Sequence, residues 1–289
     1  MTKRIPIYDI CTIDRSDHPD LLIDRFAHYL EKHYANLSRP HRHTFYHLVL
    51  FTEGKGYHTI DFSRFIVKPY QVYFMSPGQV HSWHFEGKVD GYIIHFGPEF
   101  FGTFLQNANY ILQFNFFNGN SEDGVHNIPL NIQPQIVKLF ESLLEEKQGL
   151  KNLDLIRILM LELFIRLDRG CVNKKNKNIS QQKLLTLHHF KQLIEKHYRL
   201  IRLPKEYAEL MYITPNHLNA LCQDIAGRSA GELIRDRIVL EAKRLLTNAD
   251  MGITEIAYDL NFQDNSYFTR FFKKHTGLTP EQFRKGLTH

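Results

Sequence analysis

The sequence predicts an α+β protein of two domains, a β-rich N-terminal half followed by an all-helical C-terminal half. Three observations predict it. Short aromatic and β-branched runs separated by turn residues fill the first third. A helical hydrophobic period begins near Pro134 and returns after Gln182. Between these helical regions, Asn173-Lys-Lys-Asn-Lys-Asn178 is polar, charged and without period, the best domain boundary in the chain. At 289 residues there is length for two cores, and a composition of 43% hydrophobic and 23% charged residues confines disorder to short linkers.

After an irregular start, His47-Leu-Val-Leu-Phe51, Gly56-Tyr-His-Thr-Ile-Asp61, Gln71-Val-Tyr-Phe-Met75 and Gly91-Tyr-Ile-Ile-His-Phe96 read as strands. Turn residues around Gly54, Pro69 and Pro77 separate them, as in an antiparallel barrel or sandwich, and no helical period fits this region. The barrel is placed at residues 1–130. Ile136, Leu139, Phe140, Leu143 and Leu144 then form one apolar helical stripe. The next helix, around Leu153–Leu167, is apolar on nearly every side and must be covered on both faces. Periodicity leaves open whether the barrel or a second subunit supplies the second cover. Residues 131–170 are therefore a helical dimerisation or packing segment, 171–181 a linker, and 182–289 the helical domain.

Cys11, Cys171 and Cys222 have no disulfide or metal-clip spacing, which fits a reducing compartment. The N-terminus lacks the apolar run of a signal peptide, and charges interrupt the greasiest stretch, Leu153 to Leu167. The expected location is cytoplasmic, with the nucleoid and no membrane as partner. Net charge is +5, and from Ser180 onward 16 Lys/Arg stand against 12 Asp/Glu, a weak lean towards a polyanion.

Two segments flanking a long helix near Leu233–Leu245 share one plan. In the first, Leu203–Met211 precedes a turn, then Thr214-Pro215 caps a helix running to Ala226. Leu218, Leu221 and Cys222 face inward; Asn216, His217, Asn219, Ala220 and Gln223 face out. In the second, Gly252-Ile-Thr254 caps Glu255–Leu260, Asn261-Phe-Gln263 turns, and Asp264–His275 forms the second helix, stopped by Gly277. Phe268, Phe271 and Phe272 match the inward set, while Asp264, Asn265, Ser266, Tyr267, Thr269, Arg270, Lys273 and Lys274 stay polar. Ala257 matches Ala208, and the two second helices start 50 residues apart, at 214 and 264. A polar outer face on one helix is an ordinary solvated surface; two such pairs on one plan are a repeat. A helix fits the major groove of B-DNA, where Asn or Gln pairs with adenine and Arg with guanine, and lysines and helix N-termini take the phosphates. The outward residues other than Tyr267 are accordingly the candidate DNA-binding set.

Residues 183–286 resemble the DNA-binding domain of the AraC/XylS family. The closest matches are Ala257, Phe262, Ser266-Tyr-Phe268, Arg270, Phe271-Phe-Lys-Lys274, Gly277 and Thr279-Pro280, with Phe283-Arg284 after them. The resemblance implies seven helices, two helix-turn-helix units joined by the 229–246 helix, and contact with two successive major grooves. Three departures stand out: Asn261 in place of glycine, Cys222 in place of a large aromatic, and Gln223-Asp224 in place of a basic pair. The last of these predicts a weaker phosphate grip by the first unit, while Asn261 tolerates the left-handed turn.

The N-terminal strands resemble the cupin barrel, which many of these regulators use to sense a ligand. His41-Arg-His43, His47 and Gly54 follow the first cupin motif, with His47 in the glutamate position, and Pro77-Gly-Gln-Val-His81 resembles the second imperfectly. The resemblance implies an effector pocket involving His41, His43, His47, Tyr57, Tyr73, His81 and Trp83. In metal-binding cupins the corresponding set holds a divalent ion, so His41, His43, His47 and His81 are the metal candidates, although no cofactor is the primary expectation.

The expected function is sequence-specific, effector-responsive transcription regulation, activation more than repression, with no catalytic residues. Expected partners are operator DNA, a small-molecule effector, RNA polymerase and a second copy of the chain. The competing reading is a metal-dependent cupin enzyme fused to a DNA module. A DNA-repair methyltransferase fails for want of a reactive cysteine cluster, since Cys11 stands alone near the N-terminus.

Overall fold

A computed structural model describes residues 5–13, 18–102, 104–107, 110–171, 180–248 and 250–287. These fall into two compact units, one within Pro6–Lys174 and the other within Lys175–His289. The polar stretch Asn173–Asn178, expected as a linker, lies outside the described residues.

The first unit holds β1 (Ile7–Tyr8), α1 (Ile10–Ile13), β2 (Leu21–Arg25), α2 (Phe26–Leu37), β3 (His41–His43), β4 (Tyr46–Glu53), β5 (Gly56–Ile60), β6 (Ser63–Ile66), β7 (Gln71–Met75), β8 (Val80–Phe85), β9 (Asp90–Phe96), β10 (Val125–Asn127), α3 (Gln133–Gln148) and α4 (Leu153–Cys171). The strands form two five-stranded sheets, ordered β1-β3-β8-β5-β6 and β10-β7-β4-β9-β2. Every pairing is antiparallel except β1 with β3.

The second sheet is buried on both faces. That is why its central strands read as continuous apolar runs rather than alternating ones. Val49, Phe51, Tyr73, Met75 and Ile93 join Trp83 and Phe26 in one core; Leu48, Leu50, Val72, Phe74, Ile94 and Phe96 form the other with α3 and α4. From the helices, Ile136, Phe140, Leu143, Ile156, Met160, Leu163, Phe164 and Leu167 complete that second core. The barrel therefore covers one face of α4, resolving half of the alternative that periodicity left open. Leu155 and Ile158 stay on the outside, 41% and 51% exposed. Each fully buried Leu, Ile or Phe contributes about 1.5–3 kcal/mol of transfer free energy.

The region expected to lack helices contains α2. Its core-facing residues Phe26, Tyr29 and Leu37 are separated by histidines and lysine, which blunted the helical period. Strands β3, β6 and β8 were likewise missed: β3 and β8 carry histidines at inward positions, and β6 is a short edge strand with no fully buried residue.

The second unit contains seven helices among the described residues: α5 (Gln181–His197), α6 (Pro204–Leu210), α7 (Pro215–Ala226), α8 (Ala230–Leu246), α9 (Ile253–Asp259), α10 (Asn265–Thr276) and α11 (Pro280–Gly286). Helix α8 runs through the middle, burying Ile234, Ile238, Ala242 and Leu246 against Phe190, Tyr207, Leu218, Ile256, Phe268 and Phe272. Polar groups also cross this core. Arg237 donates to Glu195 at 2.7 Å and to Glu241 at 3.0 Å, and Arg199 reaches Asp259 at 3.1 Å. Burial alone would raise the Glu241 carboxyl, but Arg237, Arg244 and Arg199 outweigh it and hold its pKa below the ordinary value.

Candidate nucleic-acid interface and histidine cluster

Helices α6 and α7 form the first helix-turn-helix unit, α9 and α10 the second. Ala208 and Ala257 are fully buried where the paired helices cross. Each turn places one residue in the left-handed region, Tyr212 at φ 55° and Asn261 at φ 57°. The next residue then donates back into the first helix, Ile213 N–H to the Ala208 carbonyl at 3.0 Å and Phe262 N–H to the Ala257 carbonyl at 2.8 Å. The second helices start on side-chain caps: Thr214 Oγ1 accepts from the His217 N–H at 3.2 Å, and Asp264 Oδ1 from the Tyr267 N–H at 2.6 Å. They end on Gly227 (φ 65°) and Gly277 (φ 79°), conformations that favour glycine. The start of α9 differs from expectation by about two residues: Gly252, not Thr254, is its cap position, with Glu255 accepting from the Gly252 N–H.

Asn216, His217, Ala220 and Gln223 are exposed along α7, and Ser266, Arg270, Lys273 and Lys274 along α10. Asn265 and Thr269 are half-buried, the Thr269 hydroxyl donating to Asn265 Oδ1 at 3.4 Å. Two candidates have other work. Asn219 Oδ1 accepts from the Ala230 N–H at 3.2 Å, tying α7 to the start of α8 and using part of the amide that a bidentate adenine contact needs. Asp264 spends its carboxylate on the cap of α10, so it orients the helix that carries Arg270. The last turn of α10 carries Lys273, Lys274 and His275; that of α7 carries no basic residue, and Asp224 there pairs with Lys183 at 2.6 Å.

Two further residues of the matched signature turn out to be internal ties. Arg284 donates to the Leu246 carbonyl at 3.2 Å and the Met251 carbonyl at 2.7 Å, fastening α11 to the end of α8. Phe262 is buried and lies under the Arg202 guanidinium at 3.8 Å.

In the first unit, His41, His43, His47, His81 and Trp83 are buried on the inner face of the barrel, as is Tyr73. Tyr57 is not with them. On β5 the side chains alternate, so Tyr57 points outward, stacked on His84 at 4.8 Å under Arg64, and its neighbour His58 points in. His58 and His95, which the motif reading passed over, are fully buried beside the expected histidines. Inward alternation along β5 and β9 is the signal that could have found them.

These six rings are organised by contacts between nitrogens. His81 Nε2 lies 2.6 Å from His43 Nε2, and His81 Nδ1 lies 2.9 Å from His58 Nε2. His47 Nδ1 pairs instead with His95 Nε2 at 2.8 Å. The motif-derived quartet therefore divides: nitrogens of His41, His43 and His81 lie within 4.8 Å of one another, and His47 belongs to a second pair. Burial lowers every one of these pKa values, that of His41 to about 4 and that of His47 to about 3, with neighbouring histidines adding to the shift for all but His41. All six are neutral at pH 7. Among the described residues no carboxylate joins the triad, and such neutral imidazoles fit a divalent transition ion of the zinc class.

A family model described as an AraC-like ligand binding domain matches residues 27–164, and one described as a helix-turn-helix domain matches residues 207–286. The chain is 42% identical over 72 residues to the probable transcription factor PqrA of Proteus vulgaris, a stretch covering 25% of this chain and 59% of that protein. It is 23% identical over 257 residues to the arabinose operon regulatory protein of Salmonella typhimurium, covering 86% and 87% of the two chains. It is 20% identical over 253 residues to the transcriptional activator RhaS of Escherichia coli, covering 85% and 87%.

Proposed function

We propose, since the chain belongs to the AraC/XylS family of regulators, that it is an effector-responsive transcription factor acting on operator DNA. One observation carries this reading. Two helix-turn-helix units repeat the same turn, cap and stop, and each presents a polar helix face above a buried apolar one. In this proposal α7 and α10 enter successive major grooves. Arg270, Asn216 and Gln223 supply base contacts, Ser266, Thr269, His217 and Ala220 the flanking surface, and Lys273 and Lys274 the phosphate grip. Asn219 and Asp264 position the two helices, and Asn265 supports Thr269.

The barrel is the proposed sensing part, and α3 and α4 the proposed dimer contact through the exposed Leu155 and Ile158. Activation through RNA polymerase is the proposed output. Ligand would favour the arrangement of the two DNA-binding halves that fits the operator. The enzyme alternative gains no support from the likenesses and is set aside. Among the described residues no helix is long and apolar enough to cross a membrane. Selection of bound fragments from random double-stranded DNA, followed by footprinting, tests the reading. A defined site spanning two successive major grooves is expected; retention of DNA without sequence preference would overturn it.

A further inference from the structure

The barrel histidines carry an inference that rests on the effector-responsive reading and narrows the chemistry of the ligand. We propose that His41, His43 and His81 bind one divalent late first-row cation of the zinc class, and that His58, outside every motif, is the positioning residue of this site.

The argument starts from lone pairs. His41 Nδ1 lies 2.7 Å from the Arg39 carbonyl oxygen, which can only accept, so this nitrogen carries the proton. The ring is neutral, and Nε2 therefore bears a lone pair. That atom is buried and has no hydrogen-bond partner, on a residue of zero exposure. A buried acceptor left unpaired is unfavourable, and a bound cation would remove that cost. Its ring centroid is 4.1 Å from that of His81 and 4.9 Å from that of His43, so the unpaired atom belongs to a three-ring convergence.

His81 uses both nitrogens. With a proton on Nδ1 donated to His58 Nε2, its Nε2 lone pair faces His43. Without an ion, the 2.6 Å contact requires His43 to carry its proton on Nε2, which leaves the buried His43 Nδ1 unpaired. Moving that proton to Nδ1 turns a second lone pair toward the same point. Three imidazole nitrogens at about 2.0–2.1 Å from one tetrahedral ion stand roughly 3.3 Å apart, so His43 and His81 need to separate by less than about 1 Å, and the wider spacings of the triad, within 4.8 Å, to close by no more than about 1.5 Å. His58 then does for His81 what a carbonyl does for His41: it fixes which nitrogen is free to ligate.

The donor set decides the class of ion. Among the described residues no carboxylate or thiolate joins the three histidines. All-imidazole sites suit zinc, nickel, cobalt or copper and disfavour magnesium and calcium. The ligands come from β3 and β8, which pair directly, His41 opposite His81. The ion would thus clip two strands of one sheet, a change in the barrel that a regulator can read.

The test uses the full-length protein stripped with chelator and titrated with Co²⁺ and Zn²⁺. Expected are one ion per chain, visible Co²⁺ bands of a tetrahedral nitrogen site, competition by Zn²⁺, and a thermal midpoint raised by several degrees. His41→Gln and His81→Gln should each weaken binding at least 100-fold, and His58→Gln about 10- to 100-fold. His84→Gln, on the outer face, should leave it unchanged, with circular dichroism confirming that each variant is folded. Absence of saturable Co²⁺ binding by the folded wild type, or equal loss in His84→Gln, overturns the site; undiminished binding in His58→Gln overturns the positioning role. The DNA selection described above is read separately: sequence-specific DNA binding without ion binding sinks this inference alone, and ion binding without sequence-specific DNA binding sinks the regulator reading alone.

Discussion

The two helix-turn-helix units share a backbone plan and differ in what fills it. Under α10 the packing is aromatic, with Phe262, Phe268, Phe271 and Phe272 in mutual ring contact at about 5–6 Å. Under α7 it is Leu218, Leu221 and Cys222. The second unit ends its helix on lysines, the first on Gln223 and an Asp224 already paired with Lys183. Their turns differ too: Asn261 accepts the left-handed conformation readily, whereas Tyr212 holds it at a cost, 97% exposed and packed against little. The geometry of a recognition helix can thus be copied while grip and rigidity are set separately by the residues around it.

The largest effect should come from the cores. Phe268→Ala is expected to cost about 3–5 kcal/mol in denaturant unfolding and Leu218→Ala about 2–5 kcal/mol. If the units fold as one body, both variants shift a single common transition; two separate transitions would show that the lobes are independent.

Glu241 probes the same question through charge, because Arg237 links it to Glu195 on α5 and Arg199 links it to Asp259 on α9. Glu241→Ala should cost about 3–5 kcal/mol, since it leaves Arg237 buried without one of its partners. The folded pKa of Glu241 lies below its ordinary 4.5, so its contribution is present above that value and fades as pH falls through the folded pKa. Thermal midpoints measured downward from pH 6 should fall more steeply for wild type than for Glu241→Gln below about pH 4.5; parallel curves would remove Glu241 from the account.

On DNA the units should separate. Arg270→Ala is expected to cost about 1–3 kcal/mol of operator affinity and to relax selectivity at one base pair. Lys273→Ala should weaken all sequences alike and reduce the salt slope by about 1, while Gln223→Ala leaves that slope unchanged. A salt slope altered equally by both would erase the proposed division between grip and readout. The smallest effect belongs to the turns: Tyr212→Asn should stabilise by about 0.5 kcal/mol, and Asn261→Gly should do less.

The helical half was legible because its signals are local. Thr214-Pro215, Asp264, Gly227 and Gly277 act through hydrogen bonds and dihedral angles within a few residues, and α8 buries the face its period announces. The barrel was legible only in its aliphatic strands. Helix α2 and strands β3, β6 and β8 place polar or aromatic residues at inward positions, so pattern alone did not expose them. The motif reading found His41, His43 and His81, placed His47 with them, set Tyr57 on the wrong face, and passed over His58 and His95.

By itself, then, the sequence determined that two helix-turn-helix units exist, where their helices start and stop, and which sides face outward. Only the tertiary structure decided that Asn219 and Asp264 hold the helices in place, that the barrel covers one face of α4, and that six buried histidines divide into a triad, its neighbour His58, and a separate pair. Caps and turns are written within a few residues of chain. Which nitrogen of His43 is left unpaired depends on His81, on a strand distant in sequence and adjacent only after the sheet has formed.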